Sequence, residues 1–385
     1  MKKAFRTTAI IVASLIIGYA IGRGVVHFMG GKANVASIDK MKLVQSTLIS
    51  FAMLVVSAIV NIILHEAGHL LGGLATGYKF LSFRIFNLAL QKSDDGWCWK
   101  KFGIAGTLGQ CLMHPPHTTP TPYFWYNVGG MAANLIVGVT SAALLLLCDM
   151  SVVPFALCVM LLATSAWTIL MNGVPMAPSG VPNDGKNIIT LWRHPEQRWH
   201  LHDMLAVAAQ QSLGKRCGEL PEAWFDSSPV TKDSTVMEIS ARNLHYVRLM
   251  DELRFDEARP IAEEIMALDD ALPQLFQMEV SGDLLLLELA TLRRPEVIAR
   301  LWNMKFGASG MTLQKYVTAY RKYFPMKCAI LYAYEMLELQ SPESAQQYYD
   351  EVVAKLDTYA QPGEARSAIA IMERLNATND APETA

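Results

Sequence analysis

Four long apolar runs constrain this chain more than any other feature: residues 7–28, from about 43 into His65 and beyond, 123–147 and 152–171. About 20 mostly apolar residues suffice for a helix to cross a bilayer. Inside lipid the backbone must satisfy its own hydrogen bonds, so such runs become helices. The first run follows Met1-Lys2-Lys3, as a signal peptide would. Its length, and the lack of a small-residue cleavage site directly after it, favour a retained helix.

The apolar fraction of 52% and charged fraction of 18% conceal a split. Residues 1–193 hold 14 Lys and Arg against 6 Asp and Glu, a net of +8, whereas the remainder is net −10. The charge reversal sets a boundary near residue 193. An acidic second half argues against a nucleic-acid partner, which needs a basic surface. The six cysteines are scattered, with no CxxC pair, so they suggest neither a disulfide framework nor a thiolate metal site.

Basic residues near helix ends set orientation. With the N-terminus inside, Lys2, Lys3, Arg6, Lys79, Arg84, Lys92, Lys100, Lys101, Lys186 and Arg193 face the cytosol, and only Arg23, Lys32, Lys40 and Lys42 lie outside. Both termini are therefore expected in the cytosol of a multi-pass cell-membrane protein. The short connection at Asp149 makes the last two spans antiparallel neighbours. Between the second and third spans, residues 78–90 are rich in aromatic and apolar side chains. The turn Asp94-Asp95-Gly96 precedes residues 97–102. This reads as a β-hairpin or small sheet at the cytosolic membrane face, with a peripheral amphipathic loop as the alternative.

Beyond residue 194 the pattern is amphipathic and helical. One helix pair covers residues 243–268, turning near Arg254-Phe255-Asp256, and another covers 316–356, turning near Gln340-Ser341-Pro342. Ser341 and Pro342 mark a helix start as cap and first-turn residue. Such pairs suggest degenerate tetratricopeptide repeats or an irregular helical bundle. The expected fold class is an all-α polytopic membrane protein with about four spans. It carries a small membrane-associated β element and a C-terminal helical, tetratricopeptide-like domain. The expected divisions are 1–42 (first span and outer loop), 43–193 (membrane core), 194–376 (cytosolic helical domain) and 377–385 (disordered tail).

Residues 65–69 read His-Glu-Ala-Gly-His at the end of an apolar helix. Positions i and i+4 lie on one helix face, about 6 Å apart, so His65 and His69 can share one zinc ion. Glu66 is placed to take a proton from a water activated there. A third protein ligand is normal for a catalytic zinc. Asp184 is the first carboxylate after the last span, in Asn183-Asp184-Gly185, where glycine lets the backbone bend closely. Ionisable residues in spanning segments are costly and usually functional.

These motifs together resemble the site-2 protease family of intramembrane zinc metalloproteases, over residues 43–193. His65-Glu66-Ala67-Gly68-His69 matches the family's HExxH helix. Asp184-Gly185, preceded by Asn172 and Pro175, is similar to the second motif, whose aspartate is the third ligand. Gly130-Met131-Ala132-Ala133-Asn134 resembles the glycine–asparagine signature on the intervening helix. The resemblance implies one Zn²⁺ on His65, His69 and Asp184, and Glu66 as the base. It also implies that Asn134 touches substrate or the developing oxyanion; an interhelical hydrogen bond is the other reading of Asn134. The stretch from Asn172 to Asp184 is longer than the family's compact form, and the helical tail stands where regulatory domains would.

The implied reaction is peptide-bond hydrolysis in a membrane-protein or hydrophobic peptide substrate, for regulated proteolysis or peptide maturation. The acidic tail would dock a peptide or protein partner. A membrane protease with a downstream glutamate ligand is disfavoured, because the next glutamate after Glu66 is Glu196, beyond the spans. The non-enzymatic alternative is a membrane scaffold with a vestigial zinc site and a partner-binding tail. His114 and His117 flank two prolines as loop residues or auxiliary ligands, and Tyr123, Trp125 and Tyr126 read as an interfacial belt.

Overall fold

The structure is a computed structural model. It describes residues 40–93, 96–117, 121–177, 180–307 and 310–379. The apolar run at 7–28, the Asp94-Asp95 pair and most of the terminal tail lie outside the described residues.

Among the described residues, three helices are long and apolar enough to cross a membrane. These are α1 (Lys40–Ala75), α2 (Phe124–Leu147) and α3 (Val152–Gly173), of which Thr47–Ala75 forms the apolar part of the first. They pack against one another pairwise. Small side chains permit close crossing: a Cβ on Gly68 of α1 would lie 2.2 Å from the Gly129 carbonyl oxygen of α2, and one on Gly72 2.1 Å from the Trp125 carbonyl oxygen. Close backbone approach through small residues is a common way for helices to associate in lipid, where apolar burial gives no drive. The outward faces keep large apolar side chains exposed, including Phe51, Ile136, Val139 and Leu146.

Between α1 and α2 the chain forms a four-stranded antiparallel sheet in the order β3-β2-β1-β4. Its strands are β1 (Lys79–Ile85), β2 (Leu88–Ser93), β3 (Gly96–Lys101) and β4 (Gly109–His114). Residues 78–102 supply three strands. The fourth, which pairs back onto β1, was not legible in a short stretch without a clear alternation. The β1–β2 hairpin turns at Phe86-Asn87, with Phe86 at a φ of 54° rather than the Asn or Gly usual in such turns.

The acidic half is helical. After α4 (Asp184–Arg193), α5 (Arg198–Ser212) packs on β4. Gln91 of β2 also donates to the Ser212 carbonyl at 3.0 Å. Then follow α6 (Val236–Asp251), α7 (Phe255–Met266), α8 (Gln274–Ala290), α9 (Pro295–Trp302), α10 (Leu313–Tyr320), α11 (Met326–Ala333), α12 (Pro342–Ala354) and α13 (Pro362–Asn379). Residues Val280 to Leu289 of α8 are buried on every side, which makes it the central helix of this half. The Thr235–Glu238 capping box starts α6. At Ser341 the geometry departs from a side-chain cap: its hydroxyl meets Ser344 Oγ at 3.0 Å instead of a backbone N–H. The stretch 316–356 also divides further than a helix pair, because α10 and α11 are separate helices.

Candidate metal centre

His65, Glu66 and His69 sit on α1, and Asp184 opens α4. The loop between α3 and α4 is fixed by Asn183, the N-cap of α4. Its amide donates to the Met171 and Val174 carbonyls at 2.6 and 2.7 Å, and its Oδ1 accepts from the Met176 and Lys186 N–H groups at 3.1 and 2.9 Å. Gly185 then lets the start of α4 press against the end of α3, since a Cβ there would lie 2.2 Å from the Gly173 carbonyl oxygen. Its backbone is not in the left-handed region, so the glycine serves close approach rather than a special bend.

The hydrogen bonds determine which imidazole nitrogens carry protons. Asn134 Nδ2 donates to the Asn61 carbonyl at 3.1 Å and to Asn61 Oδ1 at 2.7 Å, so Asn134 Oδ1 must face His65. His65 Nδ1, 2.7 Å from that oxygen, is therefore the protonated nitrogen. His69 Nδ1 lies 2.7 Å from the Tyr126 carbonyl, which can only accept, so it too carries the proton. In the neutral rings both Nε2 atoms are then bare lone pairs. They point at each other from 3.0 Å, and Asp184 Oδ2 stands 3.3 and 3.5 Å from them. Asp184 Oδ2 is buried without a hydrogen-bond partner.

With both rings neutral, the three electron-rich atoms converge with no proton between them and repel one another unless a cation sits among them. Among the described residues, His65, His69 and Asp184 are the group of three or more such side chains that can hold a metal ion, their ligand atoms all within 4.8 Å. Zinc–ligand bonds of about 2.0–2.1 Å at tetrahedral angles place ligand atoms roughly 3.3 Å apart. The observed separations bracket that value, so these residues fit a small tetrahedral cation.

Asn134 is fully buried, and both ends of its carboxamide are engaged, one with His65 and one with Asn61. Asn61 is held in turn: its amide donates to the Ser57 carbonyl at 3.1 Å and to Thr164 Oγ1 at 2.8 Å, and its Oδ1 accepts from Ser165 Oγ at 2.8 Å. A polar chain thus runs from α3 through α1 and α2 to His65. Ordered partners on the distal nitrogen of a ligating histidine fix its orientation. Sequence reading missed Asn61, although an Asn four residues before the first histidine, inside an apolar helix, was the available signal.

Glu66 lies beside the ligands and against β4, where a Cβ on Gly109 would be 2.6 Å from its Oε1. The backbone N–H of Cys111 donates to Glu66, and Tyr126 Oη donates to the Cys111 carbonyl at 3.0 Å. Tyr126 also stacks on Tyr78 at 4.8 Å, so it turns inward while Trp125 stays exposed. Arg84 of β1 is fully buried. Its guanidinium donates to the Phe86 carbonyl, Thr107 Oγ1 and, at 3.3 Å, the Gly109 carbonyl, while its Nε finds no partner. Nothing in the sequence marked Arg84 beyond its basic charge. His114 and His117 do not join the ligand group; with His202 they form a row of rings 5.7 and 5.9 Å apart.

Fold and site together define a membrane-type helical protein with a His-His-Asp group that could hold a metal ion. No family model matches the chain, and comparison with curated proteins and with solved structures finds no match.

Proposed function

We propose that this chain is an intramembrane metalloprotease of the site-2 protease type, cleaving peptide bonds in membrane-embedded or membrane-proximal substrates. The observation that carries the reading is the meeting of the His65 and His69 Nε2 atoms with an Asp184 carboxylate oxygen immediately beside the Glu66 carboxylate, near the end of a membrane-type helix. A zinc ion bound there would supply Lewis acidity, polarising the scissile carbonyl and acidifying water. Glu66 accepts the proton that water gives up and returns it to the departing amine, so the proton balance of hydrolysis closes on one side chain. Asn134 and the Tyr126 carbonyl hold the two imidazoles in the metal-binding tautomer. Arg84 places a buried positive charge on the sheet side of Glu66.

The surroundings suit a hydrophobic peptide. A groove of about 690 Å³ runs between α1 and the sheet, lined by Ile63, Leu70, Leu74, Phe83, Leu90 and Trp99 among others. A substrate helix must unwind before its carbonyls are accessible, because the helix hides them in hydrogen bonds. The unwound strand would pair with an edge of the sheet, and β4 is the edge strand adjoining Glu66. This reading carries with it a fourth span at residues 7–28, cytosolic termini, cell-membrane localisation and a tetratricopeptide-like tail that docks a partner.

The test is purification of the full chain in detergent, with metal analysis and cleavage of a panel of tagged single-span reporter segments. Expected are one zinc per chain, lost in a His65→Ala, His69→Ala double variant, and zinc-dependent reporter fragments. Glu66→Gln should retain the zinc and lose cleavage by about 10²–10⁴-fold. Zinc retention with no reporter cleaved by the wild type would instead support the scaffold reading.

A further inference from the structure

A cavity of about 260 Å³, partly open to solvent, lies within the acidic helical half, remote in sequence from the metal ligands. It forms where α6, α8, α11 and α13 meet the end of α5. Four ionisable side chains line it: Glu279 and Asp283 from α8, Lys327 from α11 and Glu364 from α13. Lys327, fully buried, is the only basic residue in the lining. Its ammonium is bound to Glu279, whose other oxygen accepts from Tyr316 Oη. Glu279 is thus satisfied by a cation and a hydroxyl.

The other two carboxylates have only neutral donors. Asp283, 7% exposed, accepts from Tyr246 Oη at 2.8 Å. Glu364 accepts from the Met326 backbone N–H. A buried carboxylate without a counter-ion is costly, and the group responds by holding its proton. Burial pushes Asp283 up to about 6 and Glu364 up to about 7, in each case against the pull of Lys327. Lys327 is the one cation in the lining and Glu279 engages it, so acids outnumber bases around the cavity three to one.

A divalent metal needs several ligand oxygens clustered, and among the described residues these carboxylates do not form a group of three with ligand atoms within 4.8 Å of one another. An organic cation long enough to reach both meets the requirement. The remaining wall is apolar, with Leu244, Met250, Phe276 and Phe324 ready to enclose an aliphatic stem, and aromatic rings also attract ammonium and guanidinium groups. One turn of helix, about 10 Å across and 5.4 Å tall, displaces more volume than the cavity holds. A single long side chain does not.

We propose that this cavity binds the ammonium or guanidinium end of a lysine or arginine side chain presented by a peptide, with Asp283 and Glu364 as its counter-ions. The site is independent of the metal centre and of the protease reading. It gives the acidic half a defined ligand chemistry, namely a basic residue on a flexible segment.

The test uses the full chain in detergent micelles and isothermal titration with four probes: acetyl-Ala-Lys-Ala-amide, acetyl-Ala-Met-Ala-amide, cadaverine and 1-pentanol. Expected is saturable binding of the lysine peptide, none of the methionine peptide or the alcohol, and a loss of at least about tenfold in Asp283→Asn and in Glu364→Gln, each of which removes one buried charge partner. Both replacements are isosteric and relieve like-charge repulsion, so the fold should persist, as a cooperative melt would verify. If one variant fails to fold, the other and the cation-against-neutral comparison on the wild type still decide. Binding of cadaverine without the lysine peptide overturns the side-chain assignment in favour of a free polyamine. Absence of saturable binding by either cation, or binding indifferent to both substitutions, overturns the site itself.

Discussion

Replacing Asn134 with leucine tests whether the buried carboxamide sets the metal site. The side chains are similar in size, so the change removes polarity more than volume. Asn134 makes three hydrogen bonds: to His65 Nδ1 at 2.7 Å, to the Asn61 carbonyl at 3.1 Å and to Asn61 Oδ1 at 2.7 Å. Interhelical bonds in membrane proteins average about 0.6 kcal/mol, so their joint loss costs about 2 kcal/mol of stability. The separate effect is on metal affinity. Without an acceptor, His65 Nδ1 is free to lose its proton to Nε2 or to let the ring rotate, and loss of such a partner typically weakens binding about 10–100-fold, or about 1.4–2.7 kcal/mol. Competition with a chromophoric zinc chelator in micelles measures this directly. Ser165→Ala is the control: it removes one bond to Asn61 Oδ1 but leaves the bond to His65, and should change affinity less than about threefold. Equal zinc affinity in Asn134→Leu and wild type would refute the argument that Asn134 orients His65.

Asp184→Ala should sharply reduce zinc content after dialysis against buffered metal, whereas Asp149→Ala, between α2 and α3, should not; equal content in both would show that the wrong carboxylate has been identified. Gly130→Ala should abolish metal binding, because its Cβ would lie 2.6 Å from His65 Cε1 and 2.7 Å from His69 Nε2; normal zinc content with unshifted absorption after cobalt substitution would refute the crowding argument. The acidic half should lose stability as pH rises from about 4 to 7. Burial pushes the folded-state values of Asp283 and Glu364 above their unfolded ones, so the native state holds more protons in this window, and Asp283 alone contributes on the order of 3 kcal/mol. Melting curves of the wild type should therefore fall more steeply with pH than those of Asp283→Asn, and parallel curves would contradict the assignment.

Local sequence signals are strongest where one element suffices. The apolar length of α1, α2 and α3 is visible without any partner, because lipid imposes its requirement on each helix alone. The i, i+4 spacing of His65 and His69 is likewise a property of one helix. The β1–β3 region was legible as segments rich in aromatic and apolar residues around a turn signal, read as a hairpin or small sheet with a peripheral loop as the alternative. Its fourth strand was not, because β4 becomes a strand by pairing with β1 across 24 residues rather than through its own pattern.

Contacts between elements decided the rest. Asp184 meets the two histidines only because Asn183 anchors its loop to the end of α3, and that staple joins groups up to 12 residues apart. The placement of Asn134 against His65 depends on the crossing of α1 and α2 at Gly68 and Gly129. The same crossing brings Asn61 into the chain of bonds. Glu279, Asp283, Lys327 and Glu364 are scattered along 86 positions and look like ordinary surface charges in an acidic amphipathic sequence. Folding gathers them on one cavity, where burial raises Asp283 and Glu364. Spacing along a single helix can therefore announce two candidate ligands and a neighbouring carboxylate, but the third candidate ligand, the hydrogen bonds that orient the imidazoles and the acid-rich cavity require helices brought together in space.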